Sequence, residues 1–289
     1  MAAVWILNLD AELEFAALRR GPSYAASKDL LRSMQRALPS ARSLMGPDDR
    51  ELAECLAAGD SVEGMQGRAF CPTPGVLARF ESLGVTPEPC PELAVIELVN
   101  DRGWALSHGL APPDARFFES LPELERFLSE RPAAEDWQAK RALGTAGRGQ
   151  RSLRAQQLTE ADRKWLAASW AMGGVLLEPR REIFAEYSLH GWLGTDGSLR
   201  RGRVVAFDTH SRAFASARPL LPGECLDGEI EALGGNLERT AAALHGAGYF
   251  GPFGLDAYAW SLGPDVRCFE ALSEVNARYT LAYALGMSD

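Results

Sequence analysis

The stretch FEALSEVNARYT, Phe269–Thr280, decides how this chain folds. Read as a strand, it sets Glu274, Asn276 and Arg278 on one face and Val275 and Ala277 on the other, because side chains alternate along a strand. The run FGLDAYAW, 253–260, precedes it, and SLGPD, 261–265, lies between them. If that hairpin turns near Asp265, Asp256 lies nine residues before the turn and Glu274 nine after, so the two face each other. Their Cβ atoms are then expected about 5 Å apart. Two carboxylates that close repel, which raises a pKa or demands a cation between them. Asn276 extends the oxygen-rich patch, and Arg278 offers a charge to an anion. Carboxylate and amide oxygens suit Mg²⁺, which one or two carboxylates and substrate phosphates commonly hold. An ordinary solvated sheet face fits the same alternation. Glu270 shares the face, nearer the turn, and is expected at the surface.

Working outward, the 289 residues suffice for a large core or about two or three small domains. Hydrophobic residues make up 46% and charged residues 24%, a soluble globular balance. The net charge of -9 argues against a nucleic-acid partner, which needs a basic surface, while leaving room for one bound nucleotide. No run of 18 apolar residues suggests a membrane helix. The start, MAAVWILNLDAELEFAAL, lacks the basic region of a signal peptide. The five cysteines are scattered with no CxxC pair, which predicts reduced thiols and a cytoplasmic protein.

AVWILNL, 3–9, predicts a buried strand, and 23–58 predicts helices broken at Pro39 and at MGPDD, 45–49. A short helix is expected in 72–84 and a strand in AVIELVN, 94–100. Ser120 with Glu123 marks a helix start, and 159–174 reads as a helix capped by Thr159 and ended by Gly173-Gly174. Strands are expected in DWQAKRAL, VLLEPR, EIFAEYSLHGWLG and RVVAFDTHSRAF, and a helix over about 227–247. Helices and strands alternate early and hairpins dominate later, which predicts an α+β or mixed α/β chain.

Phosphates next to a metal platform need donors. AKRALGTAGRGQR places Lys140 on a strand before Gly144, Gly147 and Gly149, whose backbone N–H groups can approach phosphate oxygens, with Arg148 or Arg151 adding charge. It matches neither GxxxxGK[ST] nor GxGxxG. VNDR puts Arg102 at the end of the expected 94–100 strand. VLLEPRREIFAEYSL places Glu178 and Glu186 where a linker could meet a base edge and ribose hydroxyls. For each segment a plain loop or surface turn is the alternative.

In chain order these pieces resemble the ATP-grasp superfamily. QAKRALGTAGRGQ is similar to its strand lysine and phosphate loop, LLEPR…EYSL to its base and ribose hinge, and GYFGPFGLDA…EVNAR to its closing GY.G..G.D…EiNpR signature. The resemblance covers about 95–285. Arg102 stands where many members have Lys, and Ala277 where Pro is frequent. It implies two α+β lobes sandwiching ATP, divided here as 95–177 and 178–289, after a small α/β domain over 1–94. It implies ATP contacts from Arg102, Lys140, Gly147, Arg148, Gly149, Glu178 and Glu186. Asp256, Glu274 and Asn276 would hold Mg²⁺, with Mn²⁺ as an alternative, and Arg278 and Lys140 would act in catalysis.

The activity implied is a carboxylate–amine (or thiol) ligase that forms an acyl phosphate and releases ADP and phosphate. Its partners would be a small-molecule carboxylate and amine, with no nucleic acid and no membrane, and a homodimer is allowed. An ATP-binding module without ligase activity, or an ATP-grasp kinase, stays open. Arg148, Arg151, His190, His210, Arg212 and Tyr279 are candidate substrate contacts, each with a plainer packing or surface role. Replacing Glu274 by Gln is expected to relieve Asp256 and leave stability equal or higher, and Lys140→Ala to leave the fold intact.

Overall fold

The computed structural model describes residues 2–21, 23–144, 149–210, 213–263 and 266–288, and within the last sheet the side chains of 209, 210 and 213–215 are not described. The strand Ala3–Ile6 lies inside a parallel sheet, between Arg50–Glu51 and Gln66–Ala69, with Thr86–Pro87 at the edge. Both faces of this strand are covered, as parallel strands require. Val4 enters a core with Leu52, Val76, Phe80 and Val85, and Trp5 enters the large core shared with the rest of the chain. Gly67 is needed at this contact, because a Cβ there would lie 2.7 Å from Val85 and 2.9 Å from Phe80.

A second sheet is antiparallel, in the order Arg116–Phe118, Val175–Pro179, Asp136–Arg141, Gln150–Arg154. Its strands divide their residues by parity. Trp137, Ala139, Val175 and Leu177 face the helices Leu121–Ser129 and Glu160–Trp170 and share a core with Leu124, Leu128 and Leu166. Gln138, Lys140 and Glu178, on the other parity, line a cavity. The helix Glu160–Trp170 is capped by Thr159, as predicted, and the cap is reciprocal with Asp162.

The third sheet holds Ala213–Pro219, Val205–His210, Ile183–Leu193, Gly251–Gly263 and Val266–Asn276 in that order, with Leu199–Arg201 beside the end of Ile183–Leu193. The helix Asp227–Gly246 covers one face, packing Leu233, Leu237 and Leu244 into the core that contains Leu189, Phe253 and Leu255. Glu186, Asp256, Glu274 and Asn276 line the cavity on the other face. In the C-terminal pair Asp256 lies directly opposite Glu274, as expected, and Leu255 opposite Val275, but the ladder shifts register between Ser261 and Gly263 and again between Asp256 and Tyr258, so bulges as well as the turn set this pairing. Among the described residues no helix is long and apolar enough to cross a membrane.

Three expectations are corrected. AVIELVN is a helix, Leu93–Val99, not a strand. Its inward residues, Ile96 and Val99, are three apart, and Leu98 is 46% exposed where strand alternation would bury it with Ile96. Arg102 consequently opens the helix Arg102–Ser107, capped by Asp101, instead of ending a strand. Pro39 does not break the helix, which runs from Lys28 through it to Arg42. Ser120 is the N-cap of the helix Leu121–Ser129, as expected, without a side-chain hydrogen bond.

Candidate active site

One cavity of about 340 Å³ gathers eight of the residues singled out in the sequence: Arg102, Lys140, Glu178, Glu186, Asp256, Glu274, Asn276 and Arg278. The second and third sheets supply all but Arg102 and Arg278. Gly149 is described, with φ +77°, but the cavity is lined by its neighbour Gln150. Gly147, Arg148 and Arg212, with most of the 144–149 loop, lie outside the described residues.

The hairpin carries the strongest electrostatic contrast. Asp256 is pushed up from its ordinary 3.8 to about 7, first by burial and then by the facing Glu274, against the pull of Ser188 and Arg278. Burial also raises the Glu274 carboxyl, but Arg102, Lys140 and Arg278 outweigh it and hold that group below its ordinary value. Arg102 Nη2 donates to Glu274 Oε1 in a short ion pair, and Arg102 Nη1 donates to the Arg141 carbonyl at 2.6 Å. Glu274 is therefore satisfied by cations, whereas Asp256 makes no ion pair among the described residues and feels Arg278 only at longer range. Asn276 Nδ2 donates to Asp256 Oδ2 at 3.0 Å.

This donor set fits a small hard cation. Two facing carboxylates and an amide are all-oxygen ligands, and the raised Asp256 is what a cation would relieve. No group of three or more His, Cys, Asp or Glu is placed to hold a metal among the described residues, so such an ion would complete its shell from substrate oxygens or water.

Lys140 and Glu178 form a 2.7 Å ion pair, each less than a tenth exposed. The sequence assigns Lys140 to the phosphates and Glu178 to a base edge or ribose, and the two are diagonal neighbours, because Glu178 pairs with Gln138 in the ladder, two residues from Lys140. Glu178 Oε2 and Arg102 Nε are buried with no hydrogen-bond partner among the described residues. An acceptor and a donor left open in one polar cavity await groups that the protein does not supply.

Arg278 is engaged more fully than its position in the signature suggests. Its Nε donates to Glu12 in a short buried pair, its Nη1 donates to the Tyr279 carbonyl at 2.9 Å, and its guanidinium lies 5.3 Å from the Phe70 ring centroid. Asn100 clamps the backbone beside it, donating to the Ala277 carbonyl at 3.2 Å and accepting from the Ala277 N–H at 2.9 Å.

The other candidates fall to structural roles. Arg151 pairs with Asp162 at 2.5 Å. His190 is fully buried under Thr280 and Ser188, and burial lowers it to about 3, so it is neutral at ordinary pH. Tyr279 packs on Trp5 and Tyr283. The side chain of His210 is outside the described ones. Glu270, expected at the surface, is half-buried opposite Tyr258 and raised to about 7, chiefly by burial.

The sequence reading missed Glu12, Asn100, Phe70 and the helix Lys28–Arg42, which presents Leu30, Ser33, Met34 and Ala37 to the cavity. The helix left a signal, since those positions are i, i+3, i+4 and i+7. Glu12 left none, being 266 residues from its partner.

No family model and no curated protein sequence matches the chain. Solved structures do. D-alanyl-alanine synthetase A from Vibrio cholerae aligns at TM-score 0.55 and 12% identity, over 99% of this chain and 90% of that one. An ADP complex of N5-carboxyaminoimidazole synthetase from Staphylococcus aureus aligns at 0.52 and 13%, over 100% and 78%. The biotin carboxylase domain of the Hydrogenobacter thermophilus 2-oxoglutarate carboxylase, in complex with MgADP and bicarbonate, aligns at 0.53 and 17%, over 84% and 61%. All three are ATP-grasp enzymes, and the fold of this chain is the ATP-grasp fold.

Proposed function

We propose that the protein is an ATP-dependent ligase that activates a small carboxylate as an acyl phosphate for attack by an amine or thiol, releasing ADP and phosphate. The observation that carries this reading is the Asp256–Glu274 pair, lining one cavity with Lys140 and Arg102, with Asp256 raised to about 7 by burial and by the facing Glu274. Two neighbours of the same fold are ADP complexes, one of them with magnesium. The parts would be the segments 1–94, 95–177 and 178–289, with ATP between the last two.

In this reading the base lies against Glu178, Pro179 and Ile183, and Glu186 accepts from the ribose. Lys140 and Arg102 meet the phosphates, with Gly147, Arg148 and Gly149 as further phosphate contacts. Asp256, Glu274 and Asn276 would hold Mg²⁺, which when bound would supply charge neutralisation to the phosphate oxygens. The protein's own contribution is positioning. Arg278, fixed by Glu12 and Phe70, orients the attacking carboxylate, and rigid strands hold its neighbours in place. Positioned cations stabilise the charge that spreads over the transferring oxygens, and a closed cavity keeps water from the acyl phosphate.

The test is isotopic. With the acid substrate ¹⁸O-labelled at its carboxylate, one label should appear in the released phosphate, and hydroxylamine in place of the amine should trap a hydroxamate. AMP and pyrophosphate as products, or label kept wholly in the acid-derived product, would contradict the mechanism.

A further inference from the structure

One end of the cavity is walled by groups that the proposed chemistry does not use. Leu30, Met34 and Ala37 share one face of the helix Lys28–Arg42, and Leu9, Phe70 and Leu281 continue the lining. Leu9 and Leu30 are 6% exposed and Phe70 is 3% exposed, so the wall is packed from behind. Met34 and Ala37, half-buried, also pack against the main core. The charged group set against this wall is Arg278, which stacks over Phe70 and is already met by Glu12.

That arrangement constrains the substrate. A carboxylate oriented by Arg278 sends the rest of its molecule onto the apolar wall. A charged side chain there would lose its water with only the Ser33 and Thr280 hydroxyls among the lining of this end to meet it, whereas an apolar one is buried at a gain. We infer that the acid substrate carries an uncharged apolar side chain, branched aliphatic or aryl, that packs on Leu9, Leu30, Met34, Ala37 and Phe70. Met34 and Ala37 set its length. The inference rests on the ligase reading above.

The experiment uses the full chain in two steps. Calorimetry first measures binding of a non-hydrolysable MgATP analogue, then of 4-methylpentanoate and of glutarate to the nucleotide-saturated protein. Hydroxamate formation from each acid with MgATP and hydroxylamine gives kcat/KM. The expected result is binding and turnover of 4-methylpentanoate, with kcat/KM at least about 10-fold above glutarate, the scale of one misplaced group in an apolar pocket. Met34→Glu should raise KM for 4-methylpentanoate by about 10-fold to 200-fold while nucleotide affinity stays unchanged. Ala37→Leu, which only fills space, should shift preference to 2-methylpropanoate. The inference is overturned if the nucleotide binds but glutarate is preferred, if neither apolar acid binds, or if both variants leave KM unchanged. Failure of the nucleotide itself to bind would sink the ligase reading first, and this inference with it.

Discussion

Replacing Asp256 by Asn removes the charge that the ligand-free protein accommodates least well. In the folded chain this carboxyl is raised from 3.8 to about 7. A folded state that holds its proton more tightly than the unfolded chain gains stability at low pH, and that gain is lost as pH rises from about 4 through about 7. Above pH 7 the deprotonated group costs roughly 2–4 kcal/mol, at 1.36 kcal/mol per pKa step and with allowance for solvent reaching it through the cavity. Asp256→Asn keeps the shape and can still accept from Asn276. At pH 8 it should be more stable than wild type by that amount, a midpoint several degrees higher. At pH 4 the two should nearly coincide. Glu270, also raised to about 7, contributes with the same sign, and His190, lowered to about 3, with the opposite one, so only the difference between variant and wild type isolates Asp256. Thermal unfolding followed by circular dichroism at both pH values checks this, with and without MgADP. Nucleotide with magnesium should stabilise wild type and not the variant. Equal stability at pH 8, or equal stabilisation by MgADP, would refute the reasoning.

Glu274→Gln should cut ATP-dependent turnover about 100-fold or more in an ADP-release assay. It should also lower stability by roughly 2–3 kcal/mol, less than for a fully buried pair because Glu274 is 22% exposed; this reverses the expectation from sequence, since Arg102 loses its anion. Lys140→Ala should weaken MgATP binding at least about 10-fold by calorimetry and cost about 3–5 kcal/mol, because it strands buried Glu178, so the fold does not go untouched. Adding Glu178→Gln should recover much of that stability and none of the affinity. Thr159→Ala, far from the chemistry, should cost about 1 kcal/mol in denaturant unfolding with turnover unchanged.

The sequence carried the hairpin because alternation along each strand set its faces and a turn joined the strands, while the pairing of Asp256 with Glu274 also needed two register shifts that no turn position encodes. It carried the Thr159 cap for the same kind of reason. AVIELVN failed because a short apolar run has no period of its own, and only tertiary contacts choose between helix and strand. That error hid a function of the segment: as a helix end, Asn100 and Arg102 reach across to Ala277 and Glu274 and brace the signature strand. The pairing of Lys140 with Glu178 and of Arg278 with Glu12 depends on how sheets and segments approach, which no spacing in the chain encodes.

The central claim is that Mg²⁺ and a nucleotide occupy this cavity, with the phosphates at the Asp256–Glu274 hairpin. A crystal structure of the full chain grown with MgADP tests it most directly. The account predicts the base against 178–183, the phosphates beside Lys140 and Arg102, and metal density within coordinating distance of Asp256, Glu274 and Asn276. Nucleotide bound elsewhere, or bound here with no metal at the hairpin, would contradict it.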